Sequence, residues 1–477
     1  MKERSSWGVL SRLVQLGSMN HSPWIAQLDT DRIVSRIHED TSADAAVVGA
    51  GIAGIATAFF ILTRTEQSVV LVEASKVAHG ATGHNAGQVT SYFERGFASM
   101  VAEFGLARAR DGQKAVEDAW ILLDELYTTI KTDIPFARFL GHAGLSTRDQ
   151  VFTHLENNYQ RVQAGLEPEQ FLIADHVPFL GEIPSKYKSL YQLVPHTTIL
   201  ERIESRNPLF IASISFQKGC VNSALLCEHA VRWMHEQYPQ RFRCFEQTPI
   251  HKVVLHSDRV LLDAGTAVIT ASHVVLCTNG FDTITIFDTD GLAIDTKFRH
   301  SVSGVVGYMS AYLEQHPDTP MASSYLLPPN PDDPFYHADE ATGDPYFLIT
   351  RREYRHKEFT GETLVSVAGP EVAIDERSTY SRDIEFPDAA ATAIDAFVQG
   401  SYARDAASPA TYLFTWHGLM GYTPNGIRLI GPEPRNARLI YNLGCNGIGI
   451  LPSVHGGYHI AKFLRGDTLE PSIFDPQ

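Results

Sequence analysis

Cysteine is scarce in this chain of 477 residues: Cys220, Cys227, Cys244, Cys277 and Cys445 are its five, with no CxxC pair and no clustered His/Cys spacing. Neither a disulfide framework nor a metal site is expected, and a reducing, cytoplasmic setting is. Positive charge is also in deficit, 39 Lys plus Arg against 55 Asp plus Glu for a net −16. A field of that sign repels a phosphate backbone and argues against nucleic-acid binding. The first twenty residues lack the apolar run of about 7–15 residues that a secretory signal needs. The uncharged stretch Ala45–Leu62 is long enough to cross a membrane, but its Gly49, Gly51 and Gly54 fall in a pattern of strand, turn and helix, so no transmembrane segment is expected. What remains, 44% hydrophobic and 20% charged residues, is the composition of a globular protein with roughly three domains.

Residues 1–42 show no sustained period, and 1–19 read as a leader or extension. From Asp44 the chain changes character: Ala45–Val48 reads as a buried strand, residues 52–65 as a helix and Val69–Val72 as a second strand. Apolar residues spaced by three and four from Ala115 to Ile130 predict an amphipathic helix with a core-facing stripe. Phe210–Phe216 reads as a strand and Ser223–Glu236 as a helix, followed by short β-rich runs at 252–255, 260–262, 267–269 and 274–276. The proline-rich and acidic segment 326–345 predicts a surface loop, with a lid as the alternative.

Gly49-x-Gly51-x-x-Gly54 stands directly after the first strand and opens the helix, and Glu73 ends the next strand. The first glycine permits a tight turn, the second lets backbone approach a pyrophosphate, and the third lets helix and strand pack closely. The helix N-terminus supplies amides and partial positive charge to phosphates, while Glu73 accepts from ribose hydroxyls and repels a 2′-phosphate. FAD or NAD is expected; the motif alone does not separate them. Gly80-Ala81-Thr82-Gly83-His84-Asn85-Ala86-Gly87-Gln88 then concentrates small residues with amide and imidazole side chains, a composition suited to wrapping a flat polar ligand.

With these residues in place, the chain resembles the D-amino-acid oxidase-like superfamily of FAD-dependent oxidoreductases, which includes glycine oxidase, sarcosine oxidase and gamma-glutamylputrescine oxidase. In that superfamily the stretch matching 80–88 typically reads GASGRNGG and runs along the flavin; His84 stands where arginine is usual. Pro249-Ile250 resembles the position whose backbone meets the adenine, and Val274–Gly280 the strand ending in an AtG-type turn. Trp416–Gly426 followed by Ile430-Gly431 resembles W-x-G…TPDG…iG, with Asn425 in place of aspartate. Gly444–Gly449 resembles the glycine-rich turn beside the flavin ring. The cofactor contacts implied are Gly49, Gly51, Gly54, Glu73, Ala74, Thr82, Gly83, His84, Asn85, Ala86, Gly87, Gln88, Ile250, Asn279, Gly280, Gly418, Asn446, Gly447, Ile448 and Gly449.

The resemblance implies an α/β plus α+β fold: a Rossmann-like FAD-binding domain (20–95, 205–290, 412–470) interleaved with an antiparallel-sheet substrate domain (96–204, 291–411). It implies an enzyme that moves a hydride from the carbon beside an amine nitrogen of a small amine or amino acid to FAD, with molecular oxygen or another acceptor reoxidising the cofactor. Arg351 resembles the arginine that clamps a substrate carboxylate by a bidentate fork, His417 is a candidate neighbour of the flavin, and Tyr346 is a further candidate. Gly418 stands where sarcosine-oxidase-like members carry a flavin-linked cysteine, so the FAD is expected to be non-covalent. The alternatives are an NAD-dependent dehydrogenase and a flavin-binding protein without turnover.

Overall fold

The computed structural model describes residues 20–281, 283–288, 294, 302–314, 320–330, 344–356, 359–374, 380–402 and 410–476. The expected leader at 1–19, and residues 331–343 of the expected loop, lie outside the described residues.

Thr41–Val48 and Val69–Val72 are the strands of the opening βαβ unit, joined by the helix Ile52–Arg64. Residues 45–48 and 69–72 are buried throughout, the near-continuous apolar run that a parallel sheet covered on both faces requires. They pair in parallel, Ala45 opposite Val69 and Val48 opposite Val72. Thr41–Val48 also pairs in parallel with Val268–Leu276, which pairs in parallel with Asn436–Leu443. Phe242–Phe245 extends the other side, and Lys252–Leu255, Val260–Asp263, Thr285–Phe287 and Leu429–Glu433 complete a nine-stranded sheet. The runs at 267–269 and 274–276, read from sequence as separate, form one strand. Its first half pairs with Val260–Asp263 and its second with Asn436–Leu443, so the polar residues between them stay within the ladder.

The helix Ile52–Arg64 is buried from Ile52 to Leu62 because its outer face is covered as well. The closing helix Ile450–Arg465 lies against it with Gly457 at the crossing. A Cβ there would stand 2.6 Å from the backbone of Ala56 and Thr57, so the two helices meet backbone to backbone.

The second sheet has ten strands and is mostly antiparallel, with parallel pairs between Met321–Leu326 and Ala137–Leu145 and between Gln170–Ala174 and Gln192–Val194. It also takes in Gln88–Thr90, Ala212–Cys220 and Phe414–Tyr422, which the sequence-based boundaries assign to the nucleotide side. These three strands carry the chain directly from one sheet to the other. In Tyr346–His356 the period of two puts Tyr346 and Leu348 on the face toward the first sheet. Phe347 and Ile349 pack in the cluster behind, with Ile394, Phe397 and Val398.

Candidate active site

A cavity of about 1290 Å³ runs between the two sheets, larger than the roughly 300–1,000 Å³ of a single small-ligand pocket. At one end the glycine motif forms its wall. Gly49 has φ +102°, and a Cβ there would stand 2.6 Å from the Cys277 carbonyl oxygen; one on Gly54 would overlap the Gly49 carbonyl. Gly51 caps the first helix, and the amides of Gly51 and Ala53, both lining the cavity, have no hydrogen-bond partner among the described residues. Orphan donors at a helix N-terminus are what a pyrophosphate accepts from. Glu73 takes the Ala50 amide on one oxygen and the Ser75 amide on the other, each at 2.9 Å, which fixes its carboxylate at the cavity edge. Burial raises its pKa while those two amides act the other way. The site thus fits a dinucleotide with free ribose hydroxyls.

The loop 80–88 closes over this end. Thr82 Oγ1 accepts the Ile52 amide at 3.0 Å and so caps the helix from outside. Asn85 is held by its own amide group on Thr82 O (2.6 Å) and Ser223 Oγ (2.8 Å), and its carbonyl accepts from the indoles of both Trp24 (2.6 Å) and Trp416 (3.3 Å). Ser22 donates to the Gly83 carbonyl at 2.6 Å. The segment Ser22–Gln27, to which no role is assigned from sequence, therefore buttresses the loop from beneath. His84, in the position usual for arginine, lines the cavity as a neutral ring: burial pushes its pKa down to about 4, and Nδ1 sits 2.9 Å from the Gly80 carbonyl.

At the opposite end the wall is made of side chains. Tyr346 Oη lies 2.7 Å from Glu371 Oε1 and 3.2 Å from Glu94 Oε1, and Tyr422 donates to Glu94 Oε2 at 2.7 Å. One phenol hydrogen cannot serve two carboxylates, so one carboxyl of the pair carries a proton and donates back. In agreement, burial and then the neighbouring Glu371 push Glu94 up to about 8. The Glu94 carboxylate rests on Gly447, whose missing side chain leaves its place. Behind Gln88 and Ser324, both on the cavity wall, stands Lys218, with Nζ 3.1 Å from Gln88 Oε1 and 2.9 Å from Ser324 Oγ. Desolvation pulls its pKa down to about 7.

Of the expected cofactor contacts, Gly49, Gly51, Glu73, Ala74, Thr82, His84, Asn85, Ala86, Gln88, Ile250, Asn279, Gly418, Gly447, Ile448 and Gly449 line this cavity. Gly54, Gly83, Gly87, Gly280 and Asn446 do not; they shape it from behind. Gly83 faces Ile25, Gly87 faces Trp24, Gly280 faces Val302, and Asn446 Oδ1 accepts the Thr423 amide at 2.8 Å.

The three expected chemical residues divide. Tyr346 is in the cavity. Arg351 is not: it lies on the face of its strand shared with Phe347 and Ile349, and its fork pairs with Glu204 at 2.6 and 2.9 Å and with Tyr402 Oη at 2.9 Å. His417 is turned away from its cavity-lining neighbour Gly418, with Nδ1 3.1 Å from Tyr380 Oη and Nε2 3.0 Å from the Ile384 carbonyl. In both cases strand alternation decides the face. Sequence reasoning passed over Glu94, Glu371, Tyr422 and Lys218. Glu94 stands six residues after Gln88 and directly after Tyr92 and Phe93, a signal that was present; Glu371 and Tyr422 arrive only through sheet pairing.

Among the described residues no helix is long and apolar enough to cross a membrane, and no group of three or more His, Cys, Asp and Glu side chains is placed to hold a metal ion.

The family model described as "FAD dependent oxidoreductase" (DAO) matches residues 44–463. Among curated proteins, 83 residues are 37% identical to the "Putative Rieske 2Fe-2S iron-sulfur protein YhfW" of Bacillus subtilis (strain 168), a match spanning 17% of this chain and 16% of that protein. Among solved structures, glycine oxidase from Geobacillus kaustophilus superposes with a TM-score of 0.65 at 16% identity, over 91% of this chain and 98% of that one. L-amino acid deaminase from Proteus vulgaris gives 0.61 at 16% identity, over 97% and 98%. These likenesses speak to the fold. The family match covers most of the chain and sets aside the NAD-dependent dehydrogenase left open by the glycine motif: this chain belongs to the DAO family of FAD-dependent oxidoreductases.

Proposed function

We propose that the enzyme oxidises the C–N bond of a small cationic amine to an imine, which water hydrolyses, with oxygen or another acceptor restoring the non-covalently held cofactor. The observation that carries this reading is the Glu94–Glu371 pair, set in the cavity beside Gly447 with Tyr346 and Tyr422. A buried carboxyl pair sharing one proton suits an ammonium group, which replaces that proton as counter-charge. A substrate carboxylate would meet like charge there, and the expected clamp Arg351 is committed to Glu204.

Bound FAD supplies the acceptance of a hydride from the carbon next to the nitrogen. The amine must first be neutral, and the carboxylate pair takes the ammonium proton. Tyr346 and Tyr422 fix the two carboxylates so that the nitrogen is held at one place. Leu348 and Met309 add apolar side chains to the wall of the same cavity. Non-covalent attachment is favoured because a side chain at Gly418 would overlap the His84 carbonyl, while the His84 ring is hydrogen-bonded to Gly80. Five free cysteines favour a reducing compartment.

The test is an anaerobic titration of the flavin absorbance with monoamines, diamines and simple α-amino acids. Amines and diamines are expected to bleach the flavin. Bleaching by α-amino acids alone would overturn the amine reading, and no bleaching by either class would favour a flavin-binding protein without turnover.

A further inference from the structure

Arg428 is a buried guanidinium, 4% exposed, on the wall of the cavity. Nε donates to Asn442 Oδ1 at 2.6 Å, Nη2 to the Asn442 carbonyl at 2.8 Å and Nη1 to the Gly444 carbonyl at 3.2 Å. A guanidinium has five N–H groups, so two remain without an acceptor among the described residues. None of the carboxylates among the described residues forms an ion pair with it. The ionisable neighbours that face it are the thiols of Cys445 and Cys277, and desolvation pulls its pKa down to about 10, so it stays charged. A buried cation without a counter-ion is strongly disfavoured unless a ligand brings the negative charge.

The cation is also fixed in place. Asn442, which takes two of its bonds, donates to Thr57 Oγ1 and to the Ser453 carbonyl, each at 3.2 Å. A Cβ on Gly456 would stand 2.5 Å from Asn442 Oδ1, so the closing helix leaves that amide room and no more. Gly449 and Ile450, at the N-terminus of that 16-residue helix, line the cavity beside Arg428, and the helix dipole adds positive potential of the same sign. The diphosphate has its own donors at the other helix, at Gly51 and Ala53. The turn that Arg428 pins, 444–449, is the one on which the Glu94 carboxylate rests. Here the inference rests on the proposed role of Glu94: a flavin ring within reach of an amine held there lies against this turn.

We propose that Arg428 is the resident counter-charge for the negative charge that two-electron reduction places on the flavin ring. It therefore binds reduced FAD more tightly than oxidised FAD, a preference that exists whatever the substrate is.

The experiment measures the midpoint potential and the dissociation constant of oxidised FAD for the holoenzyme, Arg428→Gln and Arg428→Lys. Arg428→Gln is expected to lower the affinity for reduced relative to oxidised FAD about 100-fold, which for a two-electron couple is a fall of about 60 mV. Arg428→Lys should keep most of the potential. A potential unchanged in Arg428→Gln overturns the proposal: with oxidised FAD equally weakened, the charge serves the diphosphate, and with affinity unchanged, Arg428 only pins the turn. Should neither variant fold, the wild type decides alone. Its reduced flavin should keep the absorbance spectrum of the anion at pH values where free reduced FAD is already neutral, and the neutral spectrum there would overturn the proposal. Neither readout uses an amine, so a wrong substrate class leaves both interpretable.

Discussion

The dinucleotide end of the cavity is built from backbone, and the opposite end from side chains. Gly49, Gly51, Gly54 and the loop 80–88 lie within forty residues of one another and act through φ angles, close approach and orphan amides. Glu94, Tyr346, Glu371 and Tyr422 come from four separated segments and act through charge and hydroxyl groups. A backbone site tolerates little change at Gly49 and Gly54, because the space beside them is filled by main chain that cannot move aside. A side-chain site can be retuned one residue at a time. The predictions below test that contrast.

Gly51→Val strikes the backbone end and should have the largest effect. A Cβ there stands 2.9 Å from Thr82 Oγ1, so the hydroxyl that caps the helix is displaced along with the approach of the phosphates. The purified variant should be folded by circular dichroism and colourless, whereas the wild type should be yellow and should release its FAD on acid precipitation. Full FAD occupancy in Gly51→Val would place the nucleotide elsewhere.

Glu371→Gln strikes the other end and should leave FAD bound while kcat/KM for a cationic amine falls about 100-fold, the scale of losing one partner of a buried charge pair. The same end sets a pH dependence. The Glu94 carboxyl, held up to about 8 by burial and by Glu371, becomes a second negative charge as pH rises through that value, so kcat/KM should climb there. Glu94→Gln should remove the step. Stability runs the opposite way. A carboxyl whose folded pKa lies above its unfolded value stabilises at low pH, and that contribution is lost as pH rises through about 8. Thermal melts of the cofactor-free protein should therefore weaken between pH 5 and pH 9 in the wild type, and less so in Glu94→Gln.

Arg351→Ala separates stability from function. Its pairing with Glu204 joins a side chain 7% exposed to one 36% exposed, so solvent screens the pair and about 1–2 kcal/mol of stability is at stake. Amine kinetics and FAD content should not change. A large rise in KM without loss of Tm would return Arg351 to the site.

Lys218→Met should have the smallest effect. The amine's pKa, lowered from 10.5 to about 7 by burial, means that the unfolded chain holds its proton more tightly; the native state is penalised progressively as pH falls from about 10 to 7. The variant should melt about 2–4 °C higher than the wild type at neutral pH, with the gain vanishing near pH 10.

The same contrast explains what could be read without coordinates. The βαβ opening, the glycine motif, Glu73 and most of the loop 80–88 were legible because each depends on neighbours within a few residues. So was the helix Ser223–Gln237, through its unbroken period. Arg351 and His417 were misplaced because a strand has two faces, and only the pairing of Tyr346–His356 and Phe414–Tyr422 with other strands fixes which one meets the cavity. Glu371 and Tyr422 were missed for the same reason. Trp24 was missed because its partner, the Asn85 carbonyl, is a backbone group that no sequence pattern marks.

The position of Asn436–Leu443 has a bearing on how the protein is made. This strand lies two places from Thr41–Val48 in the nucleotide sheet yet is synthesised about 390 residues after it, and the closing helix follows it. At about 5–20 residues per second, a ribosome exposes the glycine motif roughly 20–80 s before the strand and helix that complete its surroundings. During that interval the nascent βαβ unit presents an open sheet edge and an uncovered helix, a state suited to chaperone capture or mispairing. Completion of the site is thereby tied to the synthesis of this strand and helix, and a chain stopped before Asn436 would forfeit the site assembled around the glycine motif.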